Sequence, residues 1–171
     1  NGATLLGTVT AAPYTYAWNA VAVGTYTVTA KAYDNRGSIT TSTAVTLISN
    51  ALPTVAITAP TNGATFPPAS NITLAASAAD SDGTVSKVEF YKGATLLGTV
   101  TVAPYNFAWN AVAAGSYTLS AKAYDNRGAV VTSSAVAIVV SGNLPPVVGL
   151  TAPANNTVLS APGNVTLTAT A

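Results

Sequence analysis

Residues 2–22 read GATLLGTVTAAPYTYAWNAVA, and residues 93–113 read GATLLGTVTVAPYNFAWNAVA. The likeness continues: 2–49 align with 93–140 without a gap, sharing WNAVA, AKAYDNRG and TS-x-AV at matching places. A second pairing joins LPTVAITAP (Leu52–Pro60) to LPPVVGLTAP (Leu144–Pro153), and NITLAASA from Asn71 to NVTLTATA from Asn164. Self-similarity at a fixed period marks one folding unit written repeatedly, here every 92 residues or so, about the size of a small domain. One whole unit spans residues 50–140. Residues 1–49 match the back of a preceding unit and 141–171 the front of a following one. Asn1 corresponds to Lys92 and Ala171 to Ala78, so the two partial units lack only the counterpart of Ala79–Tyr91. An excerpt of a longer continuous tandem array is the expectation. Head-to-tail chains that combined their partial units would lack the third strand and leave ladder edges open.

Within the whole unit, short β-prone runs are separated by turn residues at the spacing of a sandwich. Thr54–Ala59 is stopped by Pro60 and TNG. Asn71–Ala79 alternates Ile72, Leu74, Ala76 and Ala78 onto one face. After the DSDG turn, Thr84–Tyr91 turns Val88 and Phe90 inward and Lys87, Glu89 and Tyr91 outward. Thr95–Thr101, the strand of Tyr105, Phe107 and Trp109, Tyr117–Tyr124 and Ala129–Val140 complete seven strands, with DNRG at 125–128 as a hairpin turn. Helical periodicity is sustained nowhere, and the density of Val and Thr disfavours it. The chain is therefore all-β.

Composition narrows the function classes. Asp, Glu, Lys and Arg make up 6% of the chain, against roughly 25% in an ordinary soluble domain. The net charge of +1 provides no basic stripe for nucleic acid. A surface of Thr, Ser, Ala and Asn is weakly repelled by copies of itself and suits side-by-side packing. Cysteine is absent, so there is neither a disulfide nor a thiolate metal site. No apolar run reaches the roughly 18 residues of a membrane span, and no charged segment followed by an apolar stretch reads as a signal peptide.

AAGSYTLSA places Tyr117 two residues after Gly115 at the head of the sixth strand, where a sandwich sets its tyrosine corner. Together with DSDGTVSKVEFYKGATLLG and AKAYDNRGA, the unit resembles the bacterial immunoglobulin-like (Big-type) repeats of large secreted and cell-surface proteins. The resemblance covers essentially the whole chain. It implies an immunoglobulin-like Greek-key β-sandwich in tandem, secreted or at the cell surface. It leaves the role open, since such modules serve as stalks, spacers, adhesin shafts and enzyme appendages alike.

Catalysis is not expected. No histidine can act as base for a serine, and no glycine-rich loop cradles a phosphate. Asp80 and Asp82 sit two apart in a turn, so they cannot flank a glycosidic bond as carboxylates about 5–9 Å apart. The carboxylates suggest something else. In an immunoglobulin topology the second-to-third and sixth-to-seventh loops share a pole, placing Asp80 and Asp82 beside Asp125 and Asn126, where the linker (NALP or GNLPP) enters. Calcium is the candidate ligand there, held by Asp oxygens, the Asn126 amide and a linker carbonyl, at about 10⁻⁴–10⁻³ M for an extracellular site. The competing reading makes both loops self-bonded Asx turns, with Arg127 or Lys122 balancing the acids. No other cofactor is implied.

Tyr105, Phe107 and Trp109, like Tyr14, Tyr16 and Trp18, read as core rather than as a sugar-stacking platform, because a unit so rich in alanine needs bulk. Tyr91 and Tyr124 have outward parity and are the better glycan or neighbour contacts. Lys31 and Lys122 also point outward, away from the buried setting a Lys–Asn isopeptide bond needs. The sequons at Asn71, Asn155 and Asn164 matter only in a host that N-glycosylates. The expected partners are neighbouring copies of the repeat, in a homopolymer or tandem array, without nucleic acid and without membrane insertion. The expected role is a stalk, fibre or adhesin shaft whose short, Pro-stiffened linkers make a semi-rigid rod. The alternative is a spacer or weak glycan-binding accessory module of a secreted polysaccharide-degrading enzyme.

Overall fold

The structure is a computed structural model and describes residues 1–142 and 147–170. Fifteen strands occur among them and no helix. The first partial unit has β1 (Gly24–Val28), β2 (Lys31–Tyr33), β3 (Ile39–Thr41) and β4 (Val45–Ser49). The whole unit has β5 (Thr54–Ala59), β6 (Ala64–Phe66), β7 (Ser70–Ala79), β8 (Val85–Lys92) and β9 (Thr95–Val100). It continues with β10 (Tyr105–Val112), β11 (Gly115–Asp125), β12 (Val130–Thr132) and β13 (Val136–Val140). The last partial unit has β14 (Gly149–Ala152) and β15 (Thr168–Thr170).

Two sheets face each other in the whole unit. One has the order β10-β7-β5; the other runs β6-β13-β11-β8-β9, with β12 also on β11. Neighbouring strands that are distant in sequence, such as β10 on β7, give the Greek-key connectivity expected of the sandwich. The period-2 alternation directs Ile72 and Leu74 of one sheet onto Val88, Phe90, Leu119 and Ile138 of the other, all at 2% exposure or less. Phe90 stacks on Phe107 with centroids 6.2 Å apart, and Tyr105 is buried beside them, so this aromatic strand does supply core. Tyr117 donates its hydroxyl to the Ala113 carbonyl at 2.8 Å and packs edge-on against Trp109, forming the tyrosine corner.

Two features depart from a seven-strand reading. Residues 64–66 form a short strand parallel to β13, fixed by the Asn62 side chain accepting from the Ala137 N–H at 2.8 Å. The segment expected as one strand, Ala129–Val140, is broken into β12 and β13. Lys122 faces Thr132 and Leu119 faces Val136, so three residues oppose two, which is a β-bulge. The Ser133 hydroxyl accepts from the Ala121 N–H and donates to the Ser134 carbonyl, replacing the lost ladder bonds.

The same sequence behaves differently in the partial units. Short-range features persist: Tyr26 donates to the Ala22 carbonyl, Trp18 packs edge-on against Tyr26, and Ser42 accepts from the Ala30 N–H as Ser133 does from Ala121. Sheet and core do not. Residues 14–19, which match the start of β10, form no strand. Tyr14 is 75% exposed where its counterpart Tyr105 is 9% exposed, and Leu167 is 67% exposed where Leu74 is fully buried. A strand needs its partner, and within residues 1–49 no segment matches β5, β7 or β8.

Candidate functional site

The loop 80–84 between β7 and β8 and the loop 126–129 between β11 and β12 meet at one pole, joined by the Asn126 N–H donating to the Thr84 carbonyl at 2.9 Å. The linker enters between them. Asn50 donates its amide to Asp125 Oδ2 at 2.6 Å, and its own Oδ1 accepts from Arg127 Nη1 at 3.0 Å. Arg127 also forms an ion pair with Asp82 at 2.5 Å, and the Ala51 N–H donates to Asp82 Oδ1. Side chains of both loops therefore hold the two linker residues that precede Leu52.

The four residues singled out at this pole have unequal roles. Asp125 is buried, and its Oδ1 accepts from the Arg127 and Ala129 N–H groups at 2.8 Å, making the Asx turn. Burial works to raise its pKa, but the Asn50 amide and these backbone donors outweigh it and hold the carboxyl below its ordinary value. Asp34, at the matching place in the first partial unit, forms the same turn with the N–H groups of Arg36 and Ser38. Asn126 Oδ1 accepts from the Thr84 N–H. Asp82 is taken by Arg127 and the linker. Arg127 thus balances an acid as one of the two competing readings has it, while Lys122 instead lies over the Tyr91 ring at 4.8 Å. Asp80 stands apart: neither of its oxygens has a partner. The second linker, GNLPP, lies outside the described residues from 143 onward.

A second polar cluster lies on the outer face of β8 and β11. Outward parity places Glu89 there, yet it is only 7% exposed. Tyr91 and Tyr124 both donate to Glu89 Oε2, at 2.7 and 2.8 Å, and Lys87 pairs with Oε1 at 2.6 Å while lying over the Tyr124 ring. The two tyrosines read as contacts for an outside ligand are therefore engaged within the domain. Parity gave the direction of Glu89 correctly; its burial comes from the rings on either side, which alternation does not reveal. The Lys87 hydrogen bond leads in lowering the Glu89 carboxyl to about 2, helped by both tyrosines against the opposing effect of burial. The bond to Glu89 raises the Tyr91 phenol to about 12.

These shifts fix a pH profile. A depressed carboxyl stabilises the fold above its ordinary 4.5 and loses that contribution as pH falls towards 2. A raised phenol stabilises it below its ordinary 10.0 and loses that contribution as pH rises towards 12. The expected result is a stability plateau between these limits, with Tyr91→Phe flattening the alkaline decline; urea midpoints across the pH range measure it. A decline of unchanged steepness in Tyr91→Phe would exclude this role.

Elsewhere the outer face of β5 and β7 has a shallow depression lined by Thr54, Val55, Ala56, Ser77, Ala78 and Ala79, without a ring for a sugar to stack on. No group of three or more His, Cys, Asp or Glu is gathered in metal-binding geometry among the described residues, and no helix there is long and apolar enough to cross a membrane.

Comparison with known proteins agrees with the architecture. Residues 53–121 match the family described as bacterial Ig domain (Big_7). Among solved structures, fibronectin(III)-like modules of Clostridium thermocellum CbhA are 34% identical. The match covers 53% of this chain and 99% of that one, with a TM-score of 0.51. The PKD1 domain of Vibrio anguillarum Epp is 21% identical over 54% of this chain and 100% of that one, with a TM-score of 0.38. No curated protein matches. A two-sheet Greek-key unit with a tyrosine corner, matched in sequence and in structure over the repeat, places the chain in the bacterial immunoglobulin-like domain family.

Proposed function

We propose that the chain is a non-catalytic structural segment of an extracellular tandem array, forming a stalk, fibre or adhesin shaft by repetition of the Ig-like unit. The observation that carries this reading is the clamp on the linker. Asn50 and Ala51 are held by Asp125, Arg127 and Asp82, so the connection into the whole unit is tied to that unit's pole rather than left free. A tied linker limits the angles between successive modules and lengthens the array. The near-identity of the two copies and the scarcity of charge support the same reading, since they let like surfaces meet without repulsion. Ig-like modules of this kind are typically extracellular or at the cell surface.

Electron microscopy of the native material tests it. Extended rods or filaments with an axial repeat of one domain are expected, with a broader spread of bend angles in Asn50→Gly. Compact particles, or the same spread in both proteins, would rule the reading out. The likeness to modules of CbhA supports a second role, as a spacer or weak glycan-binding module of a secreted polysaccharide-degrading enzyme. Retention on insoluble polysaccharide would favour its binding form, and passage without retention would remove it.

A further inference from the structure

The partial units carry bare copies of the whole unit's ladders, in the same registers. In the front half, Leu150 faces Ala169 and Ala152 faces Thr168, with a bulge between them. Ile57 faces Ala76 and Ala59 faces Ala75 in the whole unit, with the same bulge. In the back half, Leu47 faces Tyr26 and Lys31 faces Thr41, as Ile138 faces Tyr117 and Lys122 faces Thr132. Each half therefore keeps the register of the whole unit without the other half.

What each half lacks is a cover. Val148, Leu150 and Leu167 lie exposed at the places where Val55, Ile57 and Leu74 pack inward. Tyr14, Tyr16 and Leu47 lie exposed where Tyr105, Phe107 and Ile138 do so. The whole unit shows what covers such faces: β7 pairs with β10, placing Leu74 opposite Phe107 and Ile72 opposite Trp109. One half offers the aromatic row, and the other offers the aliphatic row that meets it. Residues 147–170 carry no charge, and neither do Tyr14, Tyr16, Trp18 and Leu47, so closing the two faces buries no ion.

We infer that the front strands of one copy of this chain, β14 and β15, dock on residues 1–49 of a second copy. The register follows from the whole unit: Leu167 comes opposite Tyr16, and Val165 opposite Trp18. Residues 14–19, which form no strand alone, become the counterpart of β10 once a partner supplies the ladder. The ladders on both sides are already formed, so less ordering opposes the contact. The two surfaces that meet are different. The contact is therefore heterologous, and copies add end to end instead of closing as a two-fold pair. Neither half contains a counterpart of Val88 or Phe90, so the joint buries less than the core of the whole unit. It is weak and reversible: the halves stay apart in dilute solution and join at high concentration.

The joint is distinct from the clamp at Asn50, and its failure leaves the rod reading standing. Analytical ultracentrifugation of the 171-residue chain and a cysteine trap test it together. The weight-average mass should rise at least about twofold between about 10 µM and about 1 mM. Leu167→Lys puts a charge into the face that closes. It should abolish the rise while leaving the melting temperature of the whole unit unchanged. For the trap, Ala17→Cys and Thr166→Cys are made in separate proteins and mixed in a glutathione redox buffer. These positions match Ala108 and Thr73, which face each other across β10 and β7. The chain has no cysteine of its own, so every cross-link joins the introduced residues. The mixed dimer should outnumber both like dimers, and using Leu167→Cys in place of Thr166→Cys should remove the excess. A mass that stays constant with concentration, a rise undiminished in Leu167→Lys, or mixed and like dimers in random proportion would each overturn the inference.

Discussion

Replacing Phe90 by alanine is expected to cost about 3–5 kcal/mol, a large part of the 5–15 kcal/mol that holds a domain of this size. Phe90 is fully buried on the central strand β8, and it stacks on Phe107 of the opposite sheet. Its neighbours on β11 and β9 are Ala121 and Gly98, which cannot swell to fill the cavity. A Cβ on Gly98 would already collide with the Phe107 ring, so the glycine, the two rings and the alanine form one fitted set. The melting temperature of the whole unit should drop by at least about 12 °C in calorimetry. Phe90→Leu keeps most of the volume and should recover much of the loss. A drop of only a few degrees for alanine would mean that the rings are not the centre of this core.

The strands were legible because their residues alternate. Ile72, Leu74, Val88, Phe90, Leu119 and Ile138 sit inward in the sequence pattern and in the fold. Turn chemistry placed the hairpin at Asp125–Gly128, where the Asp125 carboxylate closes the turn on nearby N–H groups. Topology alone placed the two acidic loops at one pole. What escaped has a common cause, dependence on partners far away in sequence. Strand β6 is three residues long and exists only through its pairing with Ile138–Val140. The bulge at Ser133 is invisible in TSSAVAIVV, since the break depends on the register of β11. Glu89 required the positions of Tyr91 and Tyr124 together. At the pole, the residue types gave the candidates, but only the contacts separate Asp82 and Asp125, already satisfied, from Asp80, which is not.

The chain contains its own control for the claim that partners, rather than local sequence, make the core. Ile138 in β13 and Leu47 in β4 occupy the same position of the repeat, one at 1% exposure and the other at 42%. Both strands pair with the one that carries the tyrosine corner: Ile138 faces Tyr117, and Leu47 faces Tyr26. Beneath Ile138 lies the second sheet, β10-β7-β5; residues 1–49 contain nothing that matches β5 or β7. Ile138→Ala is therefore expected to cost about 2–5 kcal/mol and Leu47→Ala less than about 1 kcal/mol. Urea denaturation of the two variants, followed by Trp fluorescence and by far-ultraviolet dichroism, measures the difference. Equal losses would mean that residues 1–49 bury a core of their own, and that a repeat can fold without its opposing sheet. A large gap would establish the two-sheet unit as the smallest stable element of the array, with each repeat's stability set by whether both of its sheets are present.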